Sequence, residues 1–192
     1  METSVERAFR RTIKQILRVD HAGEYGAIRI YAAQIATARL TAPALLPFLR
    51  ETLGHEREHL AAFRELMWPR GTYPCGAMPL WGLGGTMLGL FTGLLGRNAI
   101  LICTEAVERT VHAHLHEQLE WLGTRDPVLS QTIANIDAQE QGHLQGAQSR
   151  QTPHSGFDRT LNRFVASVTA LLIWCSTYGA SARMARSLAN QT

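Results

Sequence analysis

The sequence predicts an all-α protein built on a four-helix bundle, in which two helical hairpins pack against each other. Apolar residues recur at helical spacing along most of the 192 residues. Proline or glycine interrupts this pattern near 41–43, 69–79 and 123–127, where helices are expected to end. The chain contains neither an alternating strand pattern nor an Asn-Gly hairpin turn, so a sheet is not predicted.

The interruptions divide the predicted single domain, 1–192, into four parts. Hairpin one covers about 4–68 and hairpin two about 98–149, with an apolar crossover at about 71–97 between them. A further apolar helix is predicted at about 158–189. Thr3 and Glu6 have the spacing of a capping box. Asp126 followed by Pro127 is typical of a helix start, because proline is tolerated in a first turn.

Composition excludes several classes of protein. Apolar residues make up 45% of the chain and charged residues 18%, which is typical of a folded domain. The net charge of +3 is too small to indicate nucleic-acid binding, and we expect no nucleic acid as a partner. Three widely spaced cysteines without a CxxC motif exclude a disulfide scaffold and a cysteine zinc finger. The N-terminal segment lacks the apolar core of a signal peptide and runs directly into a helical pattern.

Two segments carry no charged residue, one between Arg70 and Arg97 and one between Arg163 and Arg183. Both have the length needed to span a bilayer, but their glycines, prolines and hydroxyl groups make a spanning helix less favourable. We expect a buried or interfacial element instead. A glycine-rich crossover inside a soluble fold is the alternative. Gly85, Gly89 and Gly93, spaced four apart, predict a close approach of another backbone or a lipid tail.

Each of the four bundle helices has a glutamate at a position of its apolar stripe. Burying an unpaired carboxylate is costly, so four such residues need a common explanation. Glu24 precedes Glu56 by 32 residues, and Glu108 precedes Glu140 by the same interval. The predicted turns lie near the midpoint of each interval, so folding each hairpin brings its two glutamates to one height.

Glu56 and Glu140 each begin an E-x-x-H motif, which places a histidine one turn away on the same helix face. Two hairpins that each offer two carboxylates and one imidazole match the two-metal site of ferritin-like four-helix bundles. Oxygen and nitrogen ligands suit iron or manganese, and four carboxylates neutralise two divalent ions. The predicted metal ligands are Glu24, Glu56, His59, Glu108, Glu140 and His143.

The stretch from His55 to His59 also matches H-E-x-x-H, the zinc protease motif. In the second hairpin, Gln139 occupies the position that corresponds to His55. Only E-x-x-H is therefore duplicated, which favours the two-metal site.

Two further polar residues lie close to the predicted ligands in the sequence. Asp20 precedes Glu24 by one turn, and His114 follows Glu108 by less than two turns. Each is a candidate to hydrogen-bond a metal-ligating group, with an ordinary core or surface role as the alternative.

The combination of motifs resembles the demethoxyubiquinone hydroxylase family of ubiquinone biosynthesis, from about residue 12 onward. The likeness is carried by Arg18-Val-Asp-His-Ala-Gly-Glu24-Tyr-Gly-Ala, Glu56-x-x-His59-Leu, Pro79-Leu-Trp81 with its glycine-rich run, Ala106-Val-Glu108 and Glu140-x-x-His143. Related di-iron motifs often carry an acid where this chain has Gln139. That departure concerns the tuning of the ligands and leaves ligation itself unaffected.

The resemblance implies a di-iron monooxygenase that hydroxylates the ring of a polyprenyl-methoxy-methylbenzoquinone with O₂, with NADH as electron donor. It implies two iron ions, with Glu56 and Glu140 as bridges and Glu24 and Glu108 as terminal ligands. Peripheral attachment to the cytoplasmic face of a bacterial inner membrane is expected. Lipid-binding or accessory proteins of the same pathway are candidate partners. The alternative is a ferritin- or rubrerythrin-like protein that handles iron or scavenges peroxide.

Overall fold

The computed structural model describes residues 3–152 and 155–176, and within these ranges it is helical without strands. The six helices are α1 (Ser4–Thr41), α2 (Leu46–Met67), α3 (Met78–Leu94), α4 (Arg97–Leu122), α5 (Pro127–Ser149) and α6 (Gly156–Ser176). The prediction of an all-α bundle is confirmed. The part of the predicted C-terminal helix beyond residue 176 lies outside the described residues, and the division of the chain into one domain stays a prediction.

Local signals in the sequence explain where several helices begin and end. Thr3 and Glu6 form the predicted capping box, with reciprocal hydrogen bonds of 3.2 and 2.7 Å. Asp126 caps α5 through the Leu129 amide, ahead of Pro127 in the first turn. Gly123 follows α4 with a φ of 52°, a conformation that glycine adopts without strain.

The helices are arranged as two hairpins that are each extended by one helix. In the first hairpin α1 packs against α2 and also against α3, while in the second α4 packs against α5 and also against α6. Arg70, beyond the end of α2, donates two hydrogen bonds to Asp126 at the start of α5. This charge-assisted pair links one end of the first hairpin to the second.

Two apolar layers of the core lie above and below the predicted metal ligands. Leu17, Phe63 and Leu115 belong to one layer, and Leu49 and Leu101 belong to the other. Glu24 follows Leu17 by seven residues along α1, and Glu56 lies between Leu49 and Phe63 on α2. The glutamates are therefore enclosed by hydrocarbon, which lowers the local dielectric and strengthens every electrostatic interaction among them.

The crossover helix α3 contacts α1 through a row of glycines. A Cβ atom at Gly85 would collide with the carbonyl oxygen of Gly26, and one at Gly89 would collide with that of Ile30. The predicted close approach is thus made between α3 and the backbone of α1. Among the described residues, no helix combines the length and the apolar character required to cross a bilayer.

We predict that Gly89→Ala destabilises the protein by about 1–3 kcal/mol, because the added methyl group pushes α3 away from the backbone of α1. Urea unfolding measures the change. Gly84→Ala in the same helix is the control, since no atom lies within 4 Å of its added Cβ. Alanine favours a helix interior by roughly 0.5–1 kcal/mol over glycine, so this control should be neutral or stabilising. Equal destabilisation by both variants would contradict the packing explanation.

Candidate metal centre

The structure brings all six predicted ligands together between the two hairpins. The side chains are buried, with between 1% and 5% of each residue exposed. They form two groups in which one donor atom from each residue lies within 4.8 Å of the others. The first group is Glu24, Glu56, His59 and Glu140, and the second is Glu56, Glu108, Glu140 and His143.

Glu56 and Glu140 belong to both groups, so they lie between two possible metal positions. The two carboxylate oxygens of Glu140 face different histidines: Oε1 lies 3.1 Å from His59 Nδ1, and Oε2 lies 3.0 Å from His143 Nδ1. Glu24 completes one group and Glu108 the other. This arrangement is the one expected of two bridging and two terminal carboxylates.

The pKa values reflect the crowding of four acids in a dry environment. Burial, followed by the charge of Glu140, raises the pKa values of Glu56 and Glu108 well above the ordinary range. Burial alone would raise the pKa of Glu140 too, but its close contacts with His143 and His59 lower it. Burial opposes the protonation of His59, yet its contacts with Glu140 and Glu24 raise the pKa to about 10. The site therefore favours positive charge at its centre.

Two of the possible donor atoms make no protein hydrogen bond and are available for a metal. Glu56 Oε1 and His59 Nδ1 are both buried and make no hydrogen bond. Unsatisfied buried polar atoms are rare in folded proteins and require an explanation. Carboxylate oxygens and imidazole nitrogens at this spacing fit two divalent ions such as iron or manganese.

Tyr31 was not singled out by the sequence analysis, yet it lies in the centre. Its hydroxyl group donates a hydrogen bond to Glu108 Oε1, and the residue is almost completely buried. Burial and the neighbouring charge of Glu108 raise the pKa of the Tyr31 phenol well above 10.0. Tyr31 follows Glu24 by two turns of α1 on the apolar stripe, where an aromatic residue is typical of a core position.

Asp20 and His114 were candidates to hydrogen-bond the ligands. Asp20 Oδ1 instead accepts a hydrogen bond of 2.7 Å from Gln118. Among the hydrogen bonds of the described residues, none joins Asp20 or His114 to any of the six predicted ligands. Burial lowers the pKa of His114 to about 4, so its imidazole is neutral near pH 7. Both residues line a cavity that reaches the four glutamates.

A cavity of about 460 Å³ runs from the carboxylates to the surface between α1, α3, α4 and α6. Its inner end is formed by the four glutamates, while its walls are mostly aliphatic and aromatic. Met87, Phe91 and Phe164 line its outer part and are each at least half exposed. Because the mouth opens among exposed apolar side chains, the cavity suits an apolar organic molecule.

The alternative protease motif is not formed as a zinc site. His55 lies outside both donor groups, and its Nδ1 atom is 2.9 Å from Nε2 of His143. A zinc protease would require His55 and His59 to face one ion. Here the two imidazoles contact different residues of α5.

Comparison with known proteins places this arrangement in a family. The family model described as "Ubiquinone biosynthesis protein COQ7" matches residues 11–176. A Dictyostelium discoideum relative, named a mitochondrial NADPH-dependent 3-demethoxyubiquinone 3-hydroxylase, is 33% identical over 179 residues, covering 92% of this chain and 82% of the relative. A Rhodospirillum rubrum relative, named 3-demethoxyubiquinol 3-hydroxylase, is 34% identical and is covered over 77% of its length.

The human relative carries the same name as the Dictyostelium protein and is 42% identical over 118 residues. That match covers 62% of this chain but only 54% of the human protein, so the chain spans about half the length of this relative. The family model covers most of α1, from residue 11 onward, and every other helix that the structure describes. On this evidence the chain belongs to the COQ7 family of ubiquinone biosynthesis proteins.

Proposed function

We propose that the protein is a di-iron monooxygenase that hydroxylates the ring of demethoxyubiquinone with O₂ in ubiquinone biosynthesis. The observation that carries the proposal is the cavity, because an apolar passage ends on four buried carboxylates that are clustered with two histidines. The names of the relatives support the quinone as substrate. An apolar passage suits such a molecule better than the aqueous iron required by a ferritin-like function.

We assign the two metal positions to the two donor groups. Glu24 and His59 would hold one iron and Glu108 and His143 the other, with Glu56 and Glu140 shared. When bound, the iron pair supplies the reduction and activation of O₂, a reaction that side chains cannot perform. Electrons would come from a reduced nicotinamide nucleotide. NADH is our prediction, whereas several relatives have NADPH in their names.

The chain itself would position the quinone and exclude water. The cavity of about 460 Å³ has room for a substituted ring, and its apolar walls would keep water from the reacting end once the ring is bound. The polyprenyl tail would extend along the outer part past Met87, Phe91 and Phe164. Keeping the tail in the apolar mouth would orient the ring toward the carboxylates.

We further propose that the cavity mouth docks on a membrane surface. Exposed apolar residues form a stripe along α3 and another along α6, on both sides of the mouth. These residues are Leu80, Leu83, Met87, Leu90, Phe91, Leu94, Phe164, Leu171 and Trp174. An apolar surface of this kind around a pocket is typical of a contact with lipid or protein. A polyprenyl quinone resides in the bilayer, so a lipid surface is the occupant that also delivers the substrate.

In cells that lack their own demethoxyubiquinone hydroxylase, we predict that the wild-type chain restores ubiquinone and that Glu56→Ala does not. Each metal position would lose a ligand in this variant. Demethoxyubiquinone should therefore accumulate in lipid extracts to at least ten times its level in cells with the wild-type chain. Glu58→Ala is the control, because Glu58 is exposed on the same helix. Normal quinone composition with Glu56→Ala would overturn the proposal.

We predict opposite effects of Glu56→Gln on metal binding and on the stability of the metal-free protein. The amide removes a carboxylate that three neighbouring acids disfavour. With a chelator present, the variant should therefore be more stable than the wild type by about 1–3 kcal/mol and should unfold at a higher temperature. With Fe²⁺ under anaerobic conditions, it should bind less than the two equivalents expected of the wild type. A variant less stable than the wild type without metal would contradict the electrostatic description.

For membrane docking, we predict that Leu83→Glu or Met87→Glu reduces flotation with anionic phospholipid vesicles at least threefold, because a charge in the apolar stripe resists burial in lipid. Val128→Glu is the matched control, since Val128 is equally exposed but lies at the start of α5. Unchanged flotation with both stripe variants would exclude this surface as the membrane contact.

A further inference from the structure

In each of the two histidines of the centre, the two ring nitrogens contact different groups. Nδ1 of His59 and Nδ1 of His143 both face carboxylate oxygens of the donor groups. The Nε2 atoms point away from these groups toward the opposite hairpin. His59 Nε2 lies 2.6 Å from Gln139 Oε1, and His143 Nε2 lies 2.9 Å from His55 Nδ1.

These contacts are reciprocal between the hairpins. His55 comes immediately before the E-x-x-H glutamate of α2 and contacts the histidine of α5. Gln139 comes immediately before the E-x-x-H glutamate of α5 and contacts the histidine of α2. The planes of the His55 and His143 rings are also nearly parallel, 12° apart, with centroids 5.2 Å apart, so the two rings meet edge to edge through these nitrogens. Equivalent positions of the duplicated motif therefore contact the other copy's histidine.

We propose that His55 and Gln139 are positioning residues that hold both ligating imidazoles in the tautomer with a proton on Nε2 and a lone pair on Nδ1. The amide oxygen of Gln139 can only accept, so it selects the His59 tautomer that donates from Nε2. His55 does the same for His143 when its own proton lies on Nε2 and its Nδ1 accepts. This inference rests on the proposed metal centre, in which Nδ1 must carry the lone pair.

Gln139 is a neutral acceptor, and charge gives a reason for that choice. Four carboxylates already balance the four positive charges of two divalent ions. A carboxylate in place of Gln139 would add a further negative charge beside a buried cluster. The neutral amide fixes the imidazole without this charge. It also withholds the additional electron donation by which a carboxylate partner makes a ligating histidine more basic.

The tautomers can be measured directly in protein loaded with Zn²⁺, a diamagnetic substitute for iron, after labelling histidine with ¹⁵N. In the wild type, we expect NMR to show metal-bound Nδ1 and protonated Nε2 for both His59 and His143. His55 should show protonated Nε2 and unprotonated Nδ1. Coordination of zinc through Nε2 of His59 or of His143 would overturn the proposal.

Metal affinity provides the mutational test. Gln139→Met removes the acceptor at similar volume, and His55→Phe removes the ring nitrogens while keeping an aromatic ring at the position. Each should weaken Zn²⁺ binding by 10–100-fold in a chelator competition. The variants His55→Gln and Gln139→His restore an acceptor, so their affinity for Zn²⁺ should lie within threefold of that of the wild type. Gln141→Met is the control, because Gln141 is exposed on α5.

The outcomes separate this inference from the proposed function. If the wild type binds two zinc ions and neither Gln139→Met nor His55→Phe weakens binding, the positioning role is wrong while the metal centre stands. Equal weakening by the acceptor-restoring variants also overturns the role, since packing alone would then explain the loss. A wild type that binds no metal would instead refute the proposed centre. Thermal unfolding of each variant in chelator checks that the fold is retained.

Discussion

The mutual repulsion of four buried carboxylates is the constraint on which the rest of this structure depends. Glu24, Glu56, Glu108 and Glu140 are enclosed between two apolar core layers, where water cannot screen their charges. Only Glu140 has its pKa lowered, because two histidines contact it, and the pKa values of the other three are raised. A bundle designed for stability alone would place leucine at these positions. The proposed metal centre would explain why the acids are retained, since two cations would neutralise them.

The burial of these carboxylates also gives a reason for the two additional helices, α3 and α6. A four-helix bundle closed on all sides would isolate its carboxylates, whereas α3 and α6 form a cavity with α1 and α4 that reaches them. The glycine row of α3 allows it to lie against the backbone of α1 while its outer face stays apolar and exposed. The same helix thus forms a wall of the passage and the surface around its mouth. In the proposed function, access for an apolar substrate and contact with lipid would both follow from this one structural element.

The duplication of the hairpin extends beyond the ligands. His55 and Gln139 occupy the same position in the two copies and contact the histidine of the opposite copy. The exchange joins α2 to α5 beside the donor atoms. Gln139 would thus orient an imidazole as a carboxylate does while adding no charge.

The sequence by itself determined the helices, the two hairpins and the identity of the six clustered residues. The equal 32-residue intervals, together with the rise per residue of a helix, place those residues at one height. The sequence could not show that Tyr31 contacts Glu108 or that Asp20 accepts a hydrogen bond from Gln118. It also could not show which nitrogen of each histidine faces the acids. Such features depend on how distant helices pack and on which rotamers that packing permits. Periodicity specifies the face of a helix, whereas only the tertiary structure decides which partners that face meets and where the cavity opens.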